Sequence, residues 1–459
     1  MKNIPRPFPA FVFLLLIGPY LMFLGGGLSS PTIMGIRIEF ILFALTLAGI
    51  VLFDNKTMYV ALAGMLSIIV ARYLFSPGFS LGEHFFGTSS QAGEWSLLLN
   101  LMGLLLGFTI LTKYFEESKL PELLPRFLPD GWKGALLLLF FIMFISAFLD
   151  NIAAAMIGGT IAMTIYKGKV HIGYLAAIVA ASNAGGAGSV LGDTTTTMLW
   201  IGGVKPLILL SGFIASAGAF LVFGLIASWQ QGRFQPIDRS PVKGVVIDQV
   251  SIGIVILILI SAIAANQFWG FPALGVWMAI LIGTIARKVS WAEIPKVMKG
   301  TIFLLALLFA ASLMPVNELP AATLRGTFII GLVSAVFDNI PLTKLCLDQG
   351  GYDWGLLAYA VGFGGSMLWF GSSAGVALSG MFPETRSVYQ YLKNGWHVTV
   401  AYVVGFSLFI GIAGWHPTPI EPFTSTEGQQ DLSLRKESVQ TLLPLDPRVY
   451  YSLYTLRTK

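Results

Sequence analysis

Apolar residues in this chain form long continuous runs, and short polar stretches separate them. A helix needs about 20 apolar residues to cross the hydrocarbon core of a bilayer, and most runs approach or exceed that length. The runs cover residues 8–25, 39–53, 58–75, 95–112, 135–164, 174–200, 206–229, 250–264, 269–285, 302–316, 326–347, 355–380 and 398–414. A membrane β-barrel would instead show short segments of alternating hydrophobicity. The pattern therefore predicts an all-α polytopic membrane protein.

An internal repeat divides the chain into two halves. The sequence Ser-Ala-Phe-Leu-Asp-Asn-Ile at 146–152 reappears as Ser-Ala-Val-Phe-Asp-Asn-Ile at 334–340. Downstream of each copy, two adjacent glycines are followed by a third glycine at the same spacing. These are Gly185, Gly186 and Gly192 in the first half and Gly364, Gly365 and Gly371 in the second. Two matches in the same order indicate a duplicated unit.

The repeat predicts the domain organisation. Each half is expected to hold three helices, a re-entrant hairpin around its Asp-Asn pair, a broken helix at its glycines and a final helix. If each hairpin returns to its starting side, the two repeats are inverted, with about 11 transmembrane helices in all. The predicted segments are an N-terminal helix at 1–30, a first repeat at 31–230 with its hairpin at 135–165 and broken helix at 174–200, a cytoplasmic linker at 231–247, a second repeat at 248–414 with its hairpin at 326–347 and broken helix at 355–380, and a polar tail at 415–459.

The composition supports a membrane protein and excludes a soluble fold. Of 459 residues, 55% are hydrophobic and only 11% are charged, whereas soluble domains have roughly 25% charged residues. The single cysteine, Cys346, excludes an intramolecular disulfide framework and a multi-thiolate metal site. The first apolar run follows Lys2 and Arg6, so a cleaved signal peptide is the alternative to a retained helix; the length of the run favours retention.

The positive charges predict an orientation, because cytoplasmic loops carry an excess of Lys and Arg. If the N-terminus is placed inside and each hairpin returns to its starting side, most basic residues fall on the cytoplasmic side, Lys113, Lys169 and Lys296 among them. The opposite side receives only Arg37, Arg72, Lys205, Arg325 and Lys344. The N-terminus is therefore predicted to be cytoplasmic and the tail to lie outside, in a multi-pass protein of the cell (inner) membrane.

Three carboxylates interrupt the apolar segments: Asp150, Asp193 and Asp338. Each costs at least ~2.5 kcal/mol at a helix centre and marks an ion or substrate path by default. Asp150 and Asp338 occupy equivalent repeat positions, and the following residues, Asn151 and Asn339, add neutral oxygen ligands. Such ligands suit a hard monovalent cation such as sodium. A buried carboxylate can hold a proton or a cation in turn, which is the minimum requirement for exchange. The alternative is a structural helix-capping role.

Glycines and hydroxyl residues predict a helix break beside these carboxylates. Glycine gives the backbone freedom to unwind, although close helix packing is an alternative for the same residues. The predicted breaks lie at Gly185, Gly186, Gly364 and Gly365. Supporting oxygens are expected from Asn183, Ser189, Thr194, Thr195, Ser372 and Ser373.

Several motifs resemble those of a known family. Residues 182–187 (Ser-Asn-Ala-Gly-Gly-Ala) and 191–201 (Leu-Gly-Asp followed by four Thr, then Met-Leu-Trp-Ile) resemble the signature of NhaD-type sodium/proton antiporters. Residues 338–342, 364–366 and 371–377 resemble the counterparts in the second half. The family belongs to the ion transporter superfamily, together with arsenite permeases and sodium/dicarboxylate symporters. The resemblance implies inverted repeats, re-entrant hairpins, elevator-like movement and a homodimer in the lipid bilayer.

The predicted function is the exchange of sodium, or lithium, for protons, without enzymatic activity or a cofactor. No Walker-type motif is present, which argues against ATP-driven pumping and a partner ATPase. The scattered basic residues give no nucleic-acid surface. One alternative is a sodium-coupled di- or tricarboxylate symporter, but paired buried carboxylates would repel such a substrate. A less favoured alternative is arsenite efflux, for which Cys346 would be the only thiol.

Overall fold

The computed structural model describes residues 8–26, 31–33, 35–53, 56–88, 93–237 and 246–419. The predicted tail therefore lies outside the described residues beyond residue 419, as does the middle of the predicted linker.

Helices account for nearly all of the regular structure in the described part. The helices before the linker are α1 (Phe8–Gly26), α2 (Ile38–Leu52), α3 (Thr57–Phe75), α4 (Leu81–Phe86), α5 (Trp95–Glu117), α6 (Leu124–Phe127), α7 (Trp132–Ser146), α8 (Asn151–Ile165), α9 (Ile172–Gly186), α10 (Thr194–Ile201), α11 (Pro206–Leu210) and α12 (Gly212–Phe234). Those after it are α13 (Gln249–Trp269), α14 (Pro272–Gly283), α15 (Ile294–Ser312), α16 (Leu324–Ser334), α17 (Asn339–Gln349), α18 (Trp354–Gly364), α19 (Ser373–Met381) and α20 (Val388–Ala413).

The remaining regular structure is short. Antiparallel strands β1 (Thr32–Ile33) and β2 (Ile36–Arg37) precede α2; the hydrophobic pattern did not predict them. The 3₁₀ turns lie at Pro121–Leu123, Trp291–Glu293, Val316–Glu318, Gly365–Met367 and Pro383–Arg386.

Within the described part of the chain, six helical segments are long and apolar enough to cross a membrane. They are Thr57–Phe75, Trp95–Glu117, Pro206–Phe234, Gln249–Trp269, Trp291–Ser312 and Val388–Ala413. Shorter apolar helices accompany them, including α7, α8, α9, α14 and α16. The prediction of an all-α, multi-pass membrane protein is confirmed at this level.

Two pairs of short helices contain the repeated Asp-Asn sequence at their turn. Asp150 is the N-cap of α8 and accepts a hydrogen bond from the backbone N–H of Ile152 at 3.2 Å. Asp338 is the N-cap of α17 and accepts one from Ile340 at 3.0 Å. Aspartate at an N-cap satisfies backbone donors that have no partner within the helix. The same local rule therefore starts the second helix of each pair.

Matching serines attach these helix pairs to the centre of the molecule. The hydroxyl of Ser146 donates to the carbonyl of Ser182 in α9 at 2.5 Å, and that of Ser334 donates to the carbonyl of Val361 in α18 at 2.7 Å. Almost every residue of α9 and all of α18 are buried. The two halves thus place α9 and α18 in equivalent surroundings.

Both central helices end at the repeated glycines. A short segment follows, which includes the 3₁₀ turn Gly365–Met367 in the second half, and then α10 or α19 begins. A Cβ added to Gly185 would lie 2.0 Å from the carbonyl oxygen of Met143, and one added to Gly364 would lie 2.2 Å from that of Gly331. Neither glycine is among the described residues with positive φ. Close approach of the neighbouring helix therefore explains why glycine is needed at these two positions, in agreement with the packing alternative.

Candidate functional site

The two interrupted helices meet at Asn183, which joins both halves of the chain. Its side-chain oxygen accepts a hydrogen bond from the amide of Asn151 at 3.0 Å. Its amide nitrogen donates to the hydroxyls of Ser366 at 2.8 Å and Ser372 at 3.1 Å. The side chain of Asn183 is fully buried, so these bonds replace those it would make with water.

Asp193 lies at the end of the first break and starts α10. Its Oδ1 accepts hydrogen bonds from the backbone N–H of Thr195 at 3.1 Å and from the hydroxyl of Thr194 at 3.3 Å. Its Oδ2 has no hydrogen-bond partner among the described residues, although the side chain is only 1% exposed. The hydroxyl of Thr195 is also buried without a partner there. A buried carboxylate oxygen in this state is costly, and its surroundings suit a cation or a proton.

The three carboxylates predicted from the sequence lie close together. Asp193 is within electrostatic range of both Asp150 and Asp338, and the hydroxyl of Ser373 lies beside the carboxylate of Asp338. Residues from opposite halves of the chain therefore contribute negative charge to one region.

A cavity of about 540 Å³ reaches two of these carboxylates. Its walls come from α5, α8, α10 and α15, and Asp150, Asp193 and Thr194 line it. At one end it is bordered by the last turn of α5 and the first turn of α15. Since a water molecule takes about 30 Å³ of liquid volume, the cavity has room for a hydrated monovalent ion. Asp338 is not part of its lining.

Four charged side chains surround the mouth of this cavity. Lys113 pairs with Glu116 at 3.2 Å, and Lys296 pairs with Glu293 at 2.7 Å. All four line the cavity. Apart from these four, the lining is mostly apolar. Asp150 and Asp193 are the only other carboxylates among the described residues that line the cavity.

The chain is similar in sequence to known sodium/proton antiporters. No protein-family model matches the chain. The match to sodium/proton antiporter 1 of Arabidopsis thaliana is 27% identical over 325 residues, and it covers 60% of this chain and 54% of that protein. The match to the antiporter NhaD of Vibrio cholerae is 28% identical over 324 residues, and it covers 58% of this chain and 68% of that protein. These relatives confirm the resemblance to NhaD-type antiporters. NhaD of Vibrio parahaemolyticus is 25% identical over 414 residues, covering 76% of this chain and 98% of that one.

The extent of the match differs between these NhaD-type relatives. The chain spans about half the length of the first of them and nearly the whole of the Vibrio parahaemolyticus protein. Every relative named above is described as an antiporter, and none as an enzyme.

The other candidate residues of this chain take different positions. Ser372 is the N-cap of α19 and accepts from the backbone N–H of Gly375 at 3.3 Å, in addition to its bond with Asn183. Ser189 lies within the first break, where its hydroxyl donates to the carbonyl of Ala147. Ser189 thus attaches the break to the preceding helix pair, and its hydroxyl proton is committed there. Asn339 starts α17 and is buried.

Two features of the site region have weak signals in the sequence. Ser366 bonds with Asn183 and could have been selected because it follows the repeated glycine pair. Lys344 was counted as a charge of the opposite side, but it lies within α17 with a side chain only 3% exposed. It pairs with Glu94 at 2.9 Å and with Asp348 at 2.5 Å. Glu94 is distant in sequence, so the hydrophobic pattern contains no sign of that contact.

Proposed function

We propose that this chain exchanges sodium or lithium ions for protons across a membrane. The observation that carries the proposal is the buried Oδ2 of Asp193, which has no hydrogen-bond partner in the described chain and belongs to a residue that lines a cavity. The names of the relatives support sodium and proton as the exchanged ions.

The proposed chemistry is competition for one group of carboxylates. Asp150 and Asp193 line the same cavity, and Asp338 lies within electrostatic range of Asp193. Nearby carboxylates repel one another, and either a cation or a proton relieves this repulsion. Asn151 and Asn339 stand next to Asp150 and Asp338 and are proposed to complete the site with neutral oxygens. A cation can then bind only after a proton leaves.

We further propose that the two Asp-Asn helix pairs are re-entrant hairpins in inverted repeats. Helices α7 and α8 have 15 residues each, which gives about 22 Å at 1.5 Å per residue. Helices α16 and α17 have 11 residues each, or about 16 Å. All four are shorter than the roughly 30 Å hydrocarbon core. This supports hairpins that enter and return on the same side.

The proposed orientation follows from the basic residues. Lys113 and Lys296 border the cavity, and both belong to the side that the positive charges mark as cytoplasmic. The cavity is therefore proposed to open to the cytoplasm of a cell whose inner membrane holds the protein.

Everted membrane vesicles with a preformed proton gradient test the function. A sodium pulse should collapse the gradient in vesicles with the native protein. Asp150→Asn and Asp193→Asn should abolish the collapse, because each removes a charge that must bind either ion. Glu122→Gln changes an exposed carboxylate outside the cavity and should behave as native. Full exchange in both aspartate variants would contradict the proposal.

No specific observation favours the alternatives. The gathered carboxylates would repel a di- or tricarboxylate substrate. Cys346 is a single buried thiol, and arsenite would prefer several soft ligands.

A further inference from the structure

The internal repeat pairs residues of the two breaks that differ in chemistry. Asn183 stands two residues before the glycine pair of the first half, and Gly362 stands at the same position in the second half. Asp193 follows the third glycine of the first half, and Ser372 follows that of the second. At both of these aligned positions, the two halves therefore have residues of different chemistry.

These four residues face one another across the repeat interface in two equivalent pairs. In the first pair, the amide of Asn183 donates to Ser372 at 3.1 Å. In the second pair, a Cβ built on Gly362 would lie 3.2 Å from Oδ2 of Asp193, the only described atom within 4 Å of it apart from its chain neighbours and the backbone of its own helix. The amide of Asn183 fills its position in the first pair, whereas Gly362 leaves the equivalent position in the second pair without a side chain.

The repeat leads us to expect an amide side chain near the second pair. The repeat makes Asn339 the counterpart of Asn151, which contacts the amide of Asn183. Asn339 is buried, and its helix α17 packs against α18, which contains Gly362. The carboxylate of Asp193 supplies the charge that the hydroxyl of Ser372 lacks in the other pair.

We propose that Gly362 defines a single site for a small monovalent cation beside Asp193, and that the side chain of Asn183 closes the equivalent position in the other half. This inference rests on the proposed function and makes it more specific, since it allows one cation for each chain. Hard cations bind oxygen at about 2.4 Å, so a Cβ 3.2 Å from Oδ2 would be too close to an ion bound on the side of Oδ2 that faces Gly362. Cation binding therefore requires glycine at this position.

Substitution of Gly362 tests the inference by a binding measurement that does not depend on transport. Thermal unfolding of the purified protein can be followed by tryptophan fluorescence during titration with sodium chloride, with choline chloride keeping the ionic strength constant. Sodium should raise the melting temperature of the native protein. Gly362→Ala should weaken the apparent sodium affinity about tenfold or more. Gly362→Asn should abolish the sodium effect, because the new amide can bond with Asp193 as Asn183 does with Ser372.

Gly380→Ala provides the matched control. Gly380 lies in α19, and a Cβ there has no heavy atom within 4 Å. This variant should keep the native sodium affinity. Equilibrium binding of radioactive sodium should give one ion for each chain, and two ions would overturn the inference.

The outcomes separate this inference from the proposed function. Native sodium affinity in Gly362→Ala would overturn the inference even if Gly362→Asn does not fold. If the native protein exchanges sodium for protons in vesicles, and both variants keep the native sodium affinity, the inference is overturned and the proposed function stands. Absence of both sodium binding and sodium-driven exchange in the native protein would overturn both.

Discussion

Lys344 is expected to stabilise the second helix pair through a buried ion cluster. It lies in α17, five residues after Asn339, and pairs with Glu94 before α5 and with Asp348 one turn further along. Lys344→Met keeps much of the side-chain volume but leaves two carboxylates facing each other. Removal of one partner from a buried cluster costs about 3–5 kcal/mol.

This cost converts to a measurable fall in melting temperature. At roughly 2 °C for each kcal/mol in a long chain, Lys344→Met should melt about 6–10 °C below the native protein in detergent. Lys296→Met is the matched control: its lysine is 64% exposed and pairs with Glu293, and exposed pairs contribute little. It should melt within about 2 °C of native.

A triple variant separates charge from packing. Adding Glu94→Gln and Asp348→Asn to Lys344→Met removes the uncompensated charges, so at least half of the lost stability should return. A Lys344→Met protein that melts with the native protein, or a triple variant no more stable than the single one, would refute the reasoning.

Two further predictions concern the cavity and a helix start. Thr109 lies in the cavity wall, so Thr109→Cys should react with a membrane-impermeant thiol reagent only from the side of the charged mouth. The native protein should not react, because its Cys346 is buried. Labelling of the variant from the opposite side would contradict the proposed opening. Arg287 bonds to Asp248, the N-cap of α13, and holds the pKa of that carboxyl well below its usual range. Because the pKa of Asp248 is lowered in the folded state, the native protein should be more stable than Asp248→Asn at neutral pH, and this difference should shrink as the pH falls below about 4. Melting curves of both proteins across the pH range measure the difference. A difference that grows on acidification would contradict the prediction.

The sequence predicted those features of the site that are local. Asp150 and Asp338 were identified because a charge inside an apolar run is costly. In the structure both begin a helix, so the capping alternative describes their geometry without excluding ion binding. The glycine pairs were located by spacing, but their close contacts with Met143 and Gly331 depend on packing between helices, which spacing alone does not reveal.

Contacts between the halves could not be predicted in the same way. Asp193 aligns with Ser372 rather than with an acidic residue of the second half, so the repeat alone does not indicate its role. The structure pairs residues across the interface instead, so that Asp193 faces Gly362 and Asn183 faces Ser372. A glycine also gives no chemical signal of its own in a sequence. Its importance becomes visible only when the atom that its missing side chain would touch is known.

The charge balance of the proposed site agrees with the proposal of one monovalent ion at a time. Helices α8, α10, α17 and α19 all begin at site residues, capped by Asp150, Asp193, Asp338 and Ser372. Each helix N-terminus contributes roughly +0.5 of a charge, or about +2 for four helices. Three ionised carboxylates contribute −3, so about one negative charge remains. A single sodium ion or proton neutralises that remainder. A second cation would meet a proposed site with no net attraction, which agrees with the proposal of one cation for each chain.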